Sequence, residues 1–377
     1  VKSLIGICAL AATVAACGDD DKKTPTPTTP TPPASTTVTL TAPATDGPAE
    51  NEQLQSLRPT LRIINATSTP TGTRTYEFQI SDTSDFSAAS AASFSGAFKV
   101  VKTQTNVNEG GGGKTEFAVP DDLQPTTRFY WRARARQGTT DGPWSSTASF
   151  RTKVQGYNIA GELYDPLTAG ETVGTPVGAL TFTPGRGVTI NANDAHVRYQ
   201  LVQTMTSGEF SFEAEGIQNN SPGDKTKMMS MYDGNGDITT SDWRFTVEKR
   251  DGGIIAWRFI AGEPEHAQID TIGGERVPVN FNPGATYFWK ATWGGGFRLQ
   301  ILADGAGGPT LYDFGKGMGA VYAPNPHMAY LGSPIGRAGP NDASVVGATF
   351  RNVFIGQTRP RPNSLGSALR PSTVGTR

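Results

Sequence analysis

The sequence predicts an all-β chain made of two consecutive sandwiches. Three observations carry that expectation. Short runs rich in Val, Ile, Thr, Phe, Tyr and Trp alternate apolar with polar residues, as half-buried strands do. Gly and Pro, 45 and 27 of the 377 residues, punctuate those runs as turns would. No stretch sustains the helical period. Charged residues are 18% and the formal net charge is −1, which excludes a global attraction to nucleic acid or to an acidic membrane surface. A chain of 377 residues accommodates two or three domains.

Taken in order, residues 1–17 contain Lys2, an apolar run over 4–14, and Ala15-Ala16 before Cys17. This layout reads as a secretory signal segment with a small-residue cleavage site. The run is too short to cross a bilayer, which needs about 20 residues. Val14-Ala15-Ala16-Cys17 resembles the lipobox of bacterial lipoproteins. The resemblance implies that Cys17 becomes an acylated first residue, held on a membrane by more than one acyl chain. An ordinary signal peptide with a chance cysteine is the alternative. The expected location is extracytoplasmic, on a bacterial cell envelope or surface. With Cys8 cleaved away and Cys17 lipidated, no disulfide is expected, so each domain must rest on a buried core. Residues 18–36 are polar and rich in Pro and Thr. They read as an extended linker with a reach of roughly 60 Å.

Residues 37–153 are the first expected domain, with strands over 37–40, 61–64, 76–80 and 148–152. Its strongest piece is LQPTTRFYWRARA, residues 123–135. Leu123, Phe129, Trp131, Ala133 and Ala135 fall on one side, and Arg128, Tyr130, Arg132 and Arg134 on the other. With the turn at Asp141-Gly142-Pro143-Trp144-Ser145, this resembles a fibronectin type III domain. Leu123, Pro125, Thr127, Trp131 and Ala135 match the family's pattern, but Phe129 stands at its tyrosine position, so the corner hydroxyl is missing. The resemblance implies an immunoglobulin-like sandwich acting as a spacer. The row Arg132, Arg134 and Arg136 reads as a solvated strand face, with anion binding as the alternative. Residues 108–115, NEGGGGKT, approach a phosphate-binding loop but lack its first glycine. They continue into strand at 116–119, so a flexible hairpin loop is expected.

Residues 157–357 are the second domain, with strands expected over 179–183, 197–202, 210–215, 227–232, 243–249, 254–260, 286–293, 297–302, 311–314, 327–331 and 349–355. The run TYFWKATWGGGFRLQILADG and the closing ATFRNVFIG resemble the concanavalin A-like lectin and glucanase superfold in its laminin G-like form. That resemblance implies a jelly-roll sandwich whose curved sheet carries sugar chains on its open face. Residues 358–377 are basic and proline-containing, and read as a disordered tail.

Candidate site residues follow from strand parity. Trp243-Arg244, Trp257-Arg258 and Trp289-Lys290 each set a large aromatic beside a cation. The rings are expected in the core, with Arg244, Arg258 and Lys290 on the outer face and Arg198 joining them. Such a row suits carboxylated or sulfated glycans. Trp293, beside three glycines, is expected at a hairpin tip where its ring stacks on a sugar. A solvated face and an edge plug are the alternatives. Glu213 and Glu215 share a strand face, resembling the paired acids of laminarinase-like members, but the central Asp is absent and solvated carboxylates are the leading reading. His196, Arg198 and Tyr199 are the compact set a lyase would use. Asp233, Asn235, Asp237 and Asp242 offer oxygens at alternate positions, as calcium loops do, with a plain turn as the alternative. His196, His266 and His327 lack metal spacing. No nucleophile elbow is present.

The expected function is therefore a lipid-anchored surface protein that binds carbohydrate, acidic polysaccharide included, through its second sandwich. A polysaccharide lyase or glycoside hydrolase of the same superfold, or a structural adhesion or envelope protein, are the alternatives. Expected partners are a membrane, through the lipid, and a surface glycan, but no nucleic acid. Calcium is the cofactor the acidic loop would take.

Overall fold

The structure, a computed structural model, describes residues 37–86, 103–220, 226–233, 243–261, 278–317, 326–333 and 344–357. Among the described residues strands predominate, and they form two sandwiches that share no sheet. The first runs from residue 39, where Thr39–Leu40 pairs with Ser68–Thr69, to 151, and the second from 157 to 356. All-β architecture is thus what the alternating runs produce. The signal segment, Cys17, the linker and the tail lie outside the described residues.

In the first sandwich a small sheet joins Ala44–Gly47, Thr60–Ile64 and Lys114–Ala118. The larger sheet runs Glu52–Gln53, Ala148–Arg151, Arg128–Gln137, Thr75–Ser81 and Thr103–Asn108. Phe129, Trp131, Ala133 and Ala135 are fully buried, as their parity requires, while the arginines between them stay half-buried. Trp131 stacks against Phe78 with centroids 6.4 Å apart, and Phe129 against Phe150 at 5.9 Å. Threonine hydroxyls tie down the chain at the end of this strand pair. Thr127 Oγ1 donates to Pro125 O at 2.9 Å, and Thr152 Oγ1 to Gln124 O at 2.7 Å.

The glycine-rich segment after Asn108 is not the flexible hairpin loop expected of it. The strands it joins, Thr103–Asn108 and Lys114–Ala118, belong to different sheets, so the chain crosses between layers here. Gly110 N donates to Thr115 Oγ1 at 2.9 Å, and the Thr115 hydroxyl donates to Asn65 Oδ1 at 2.7 Å. These bonds pin the loop at its base.

The second sandwich contains each of the expected strands from 179–183 to 349–355, with ends moved by a few residues. Four short strands went unread: Tyr157–Ile159, Glu162–Asp165, Thr175–Val177 and Gly187–Ile190. One sheet runs Tyr157–Ile159, Glu162–Asp165, Thr349–Gly356, Gly208–Glu215, Tyr287–Trp293, Gly296–Ala303 and Thr310–Gly317, with Leu180–Thr183 and Gly187–Ile190 joined at its side. The other has six strands: Thr175–Val177, His196–Gln200, Met328–Gly332, Thr226–Tyr232, Trp243–Lys249 and Ile255–Ala261. The core between them takes Phe210, Phe212, Trp289 and Phe350 from the larger sheet. From the smaller it takes Val197, Tyr199, Met231, Phe245 and Leu331. Trp289 stacks on Phe212 at 6.1 Å and on Phe281 at 5.8 Å. Burying each such ring stabilises by about 1.5–3 kcal/mol.

The six-stranded sheet ends at Thr175–Val177, which is exposed throughout and holds Pro176 paired with Val197. A proline without an N–H is tolerated at such an edge. Two strands along, Gly332 lies opposite His196 with φ +93. A Cβ there would fall 2.6 Å from Ser344 Oγ. That hydroxyl donates to Ala195 O at 2.6 Å and accepts from Ser333 N at 2.7 Å, tying two strand ends together.

Candidate functional site

Because Val197, Tyr199, Ala329, Leu331, Met231, Phe245 and Val247 face the core, the alternate residues of the same strands occupy the sheet's outer face. Antiparallel register then fixes who stands beside whom. Arg198 pairs with Tyr330, Tyr330 with Ser230, and Ser230 with Thr246. In the next row Gln200 pairs with Met328, and Met328 with Tyr232. The result is one continuous layer of His196, Arg198, Tyr330, Tyr232, Ser230 and Thr246, drawn from segments far apart in sequence, and of these six Arg198 alone is not buried.

Its rings are in contact. The imidazole of His196 lies 5.7 Å from the Tyr330 ring, and Tyr330 meets Tyr232 edge-on at 5.4 Å. His196, Tyr330, Tyr232 and Ser230 are buried, Arg198 is half-buried, and Gln200 is exposed at the side of the edge strand. His196 Nδ1 lies 3.0 Å from Asp194 O. A carbonyl only accepts, so Nδ1 carries the proton and the neutral ring leaves Nε2 with a lone pair. Burial pushes the imidazole pKa down, and Arg198 adds to that against the opposing pull of the Asp194 carbonyl. The ring is thus neutral and basic at Nε2 near pH 7. Ser230 Oγ is fully buried and has no hydrogen-bond partner among the described residues. Such orphaned hydroxyls are uncommon and mark places where a further polar group completes the set.

At one end of the same face Glu248 is fully buried between two cations. Lys227 Nζ lies 2.5 Å from Glu248 Oε1, and Arg250 Nη2 lies 3.1 Å from Oε2. Burial alone would raise the Glu248 pKa, but these cations more than offset it and hold the carboxyl below its ordinary value.

Several expected site residues stand elsewhere. Lys290 does not share a face with Arg198, because its strand lies in the nine-stranded sheet, where its Nζ sits 3.5 Å from Glu209 Oε2. The four-cation row is therefore not formed. Register places Arg244 opposite Tyr232 and Arg258 opposite Thr246, and their side chains lie outside the described set. Trp293 is no stacking platform: it is 4% exposed, packs in the core, and donates Nε1–H to Met205 O at 2.9 Å. Tyr199 is separated from His196 by the sheet itself, its hydroxyl 3.2 Å from Asp165 Oδ2 in the core. Glu213 and Glu215 are not free solvated carboxylates but are held in ion pairs. Arg351 bonds Glu213 Oε2 and Glu215 Oε2, each at 2.9 Å, and Arg186 holds Glu215 from the other side at 2.6 Å. Despite partial burial, these cations lower the Glu215 pKa, so Glu215 is not kept protonated as the acid of a hydrolysis would be. Asp233 is half-buried at the end of Thr226–Tyr232, while Asn235, Asp237 and Asp242 lie outside the described residues. Among the described residues no cluster of three His, Cys, Asp or Glu is placed to hold a metal ion.

Sequence reasoning missed Tyr330, Tyr232 and Ser230. Each sits at an outward position of a strand read correctly, and only the non-consecutive strand order brings them to His196.

No protein-family model matches the chain, and no curated protein matches it. Solved structures it is similar to include an alginate lyase, Aly36B, at 14% identity over 53% of this chain and 98% of that one, TM-score 0.34. Lectin II from Ulex europaeus gives 8% identity over 52% and 97%, TM-score 0.35. A marine PL-14 alginate lyase from Aplysia kurodai gives 10% over 44% and 76%, TM-score 0.31. At these levels no shared family follows, and function rests on the site itself.

Proposed function

We propose that the outer face of the six-stranded sheet binds a polysaccharide, with uronate-bearing chains as the favoured class. The observation that carries this is the row Arg198, Tyr330, Ser230 and Thr246, with His196 and Tyr232 against it. Aromatic rings present flat apolar surface with polar tips, which suits sugar rings. A guanidinium meets a carboxylate through two parallel hydrogen bonds. The unpartnered Ser230 hydroxyl supplies a buried polar contact for a sugar oxygen. Gln200, exposed beside this row, extends the polar contacts open to a bound chain. In calorimetric titration of the full chain, Arg198→Ala should weaken binding of an oligouronate at least tenfold and leave a neutral glucan unaffected, since charge-assisted bonds contribute about 1.5–3 kcal/mol. Equal affinity of both variants for the oligouronate overturns the reading.

The state of His196 favours a second reading, elimination on the same chain. Nε2 would take the proton from C5 of a uronate, the C4–O bond would break, and the departing oxygen would leave protonated, giving an unsaturated sugar. Tyr330, in ring contact with His196, is the nearby acid. Ultraviolet absorbance of the unsaturated product, lost in His196→Ala while binding persists, is the expected result. No product from the unaltered chain returns the protein to pure binding.

The first sandwich is proposed as a fibronectin type III-like spacer, and the acidic stretch around Asp233 as a calcium loop. We propose further that Cys17 is acylated and holds the protein on a bacterial envelope, with membrane and surface glycan as its partners. Labelling with a palmitate analogue should mark the protein and spare Cys17→Ala. An unlabelled parent protein overturns the anchor.

A further inference from the structure

The strand Arg128–Gln137 of the first sandwich lays Arg132, Arg134 and Arg136 along its outer face, and their surroundings differ. Register sets Glu77 opposite Arg134 but Gln79 opposite Arg132. Arg134 is therefore gripped by Glu77 Oε2, through Nε at 3.0 Å and Nη2 at 2.8 Å, and lies 3.0 Å from Asp141 Oδ2. Arg136 pairs with Asp141 as well. Arg132 meets no carboxylate among the described residues. Its Nε donates to Gln79 Oε1 at 3.0 Å, and its guanidinium carbon stands 4.2 Å from the Phe86 ring centroid and 4.4 Å from that of Trp144. Trp144 is itself held by Arg134, at 4.6 Å.

From this geometry we infer that Arg132 is a preformed anion site, separate from the face of the second sandwich and not dependent on it. Two aromatic rings hold the guanidinium in one orientation, so little side-chain freedom remains to be lost on binding. Gln79 fixes its Nε edge and leaves the terminal nitrogens to a ligand. Among the described residues Glu77 and Asp141 pair with Arg134 and Arg136, so Arg132 is the arginine of this row left without an ion pair. A planar carboxylate fits the two terminal N–H groups. A uronate sugar is the favoured carrier over an acidic peptide. Among the described residues the neighbours on this face are Phe86, Tyr130, Gln79, Trp144 and Arg134, rings and hydrogen-bonding groups suited to the ring faces and hydroxyls of a sugar.

The test uses the full chain labelled with 15N-arginine, with the Arg132 Nε–H resonance assigned by its loss in Arg132→Lys. Methyl glucuronide should shift that resonance and methyl glucoside should not. The shift should persist in Arg198→Ala, so a failure of the second-sandwich reading stays distinguishable. Gln79→Glu supplies an internal carboxylate and should weaken glucuronide binding about tenfold without lowering the melting temperature. No shift with glucuronide, or an unchanged affinity in Gln79→Glu, overturns the site. A larger shift with an acidic tetrapeptide than with glucuronide overturns the glycan assignment.

Discussion

Glu248→Ala is expected to destabilise the second sandwich by about 3–5 kcal/mol, because it leaves Lys227 and Arg250 buried without their counter-charge. The carboxyl is 0% exposed and shared by both cations. Removing it strands positive charge under the floor of the candidate site. Glu248→Gln keeps a hydrogen-bond acceptor and should cost less. Urea unfolding of the full chain followed by tryptophan fluorescence gives the comparison, and equal midpoints for parent and Glu248→Ala would show that the triad contributes nothing. The same group sets an acid limit. Its folded pKa is depressed, so its contribution is complete above the usual glutamate range and is lost as pH falls below about 4.5.

Asp165 gives the opposite slope. Its carboxylate lies between the sheets, where Oδ1 accepts from Leu167 N at 3.2 Å. Oδ2 accepts from Thr172 Oγ1, from Val173 N at 3.2 Å and from Tyr199 O–H at 3.2 Å. Burial outweighs these four donors and raises its pKa from 3.8 to about 6. Between those values the folded chain binds more protons than the unfolded one, so stability falls as pH rises from about 4 to about 6 and stays lower above it. A rise of that size corresponds to about 3 kcal/mol of lost stability. Melting temperature should therefore decline between pH 4.5 and about 7. Asp165→Asn should flatten that decline. Its amide faces the Val173 N–H with another donor, losing one hydrogen bond of about 1–3 kcal/mol. The variant should thus melt below the parent at pH 5 and close to it at pH 7.5. Parallel profiles for the two proteins would remove Asp165 as the titrating group.

The parts of the fold that could be read from sequence are those whose instruction is local. Residues 123–135 place every second side chain in the core, and the structure buries Phe129, Trp131, Ala133 and Ala135 accordingly. The short edge strands could not be read this way: Thr175–Val177 is exposed throughout and carries no alternation. The site shows the same division. Arg198 stands on the outer face as strand parity implies, but Lys290, which shares the aromatic-cation signature of Arg244 and Arg258, belongs to the other sheet. Strand parity tells a side chain to face outward without telling it which layer it is in. Tyr330 reaches His196 through the pairing of residues 196–200 with 328–332, a long-range contact that no local pattern announces.

Pro176 has a consequence for how copies of this chain meet one another. The last strand of the six-stranded sheet offers a neighbouring copy an interrupted ladder, since Pro176 has no amide hydrogen to give. Two copies are thereby discouraged from zipping together along that border, and the sheet stays a closed unit.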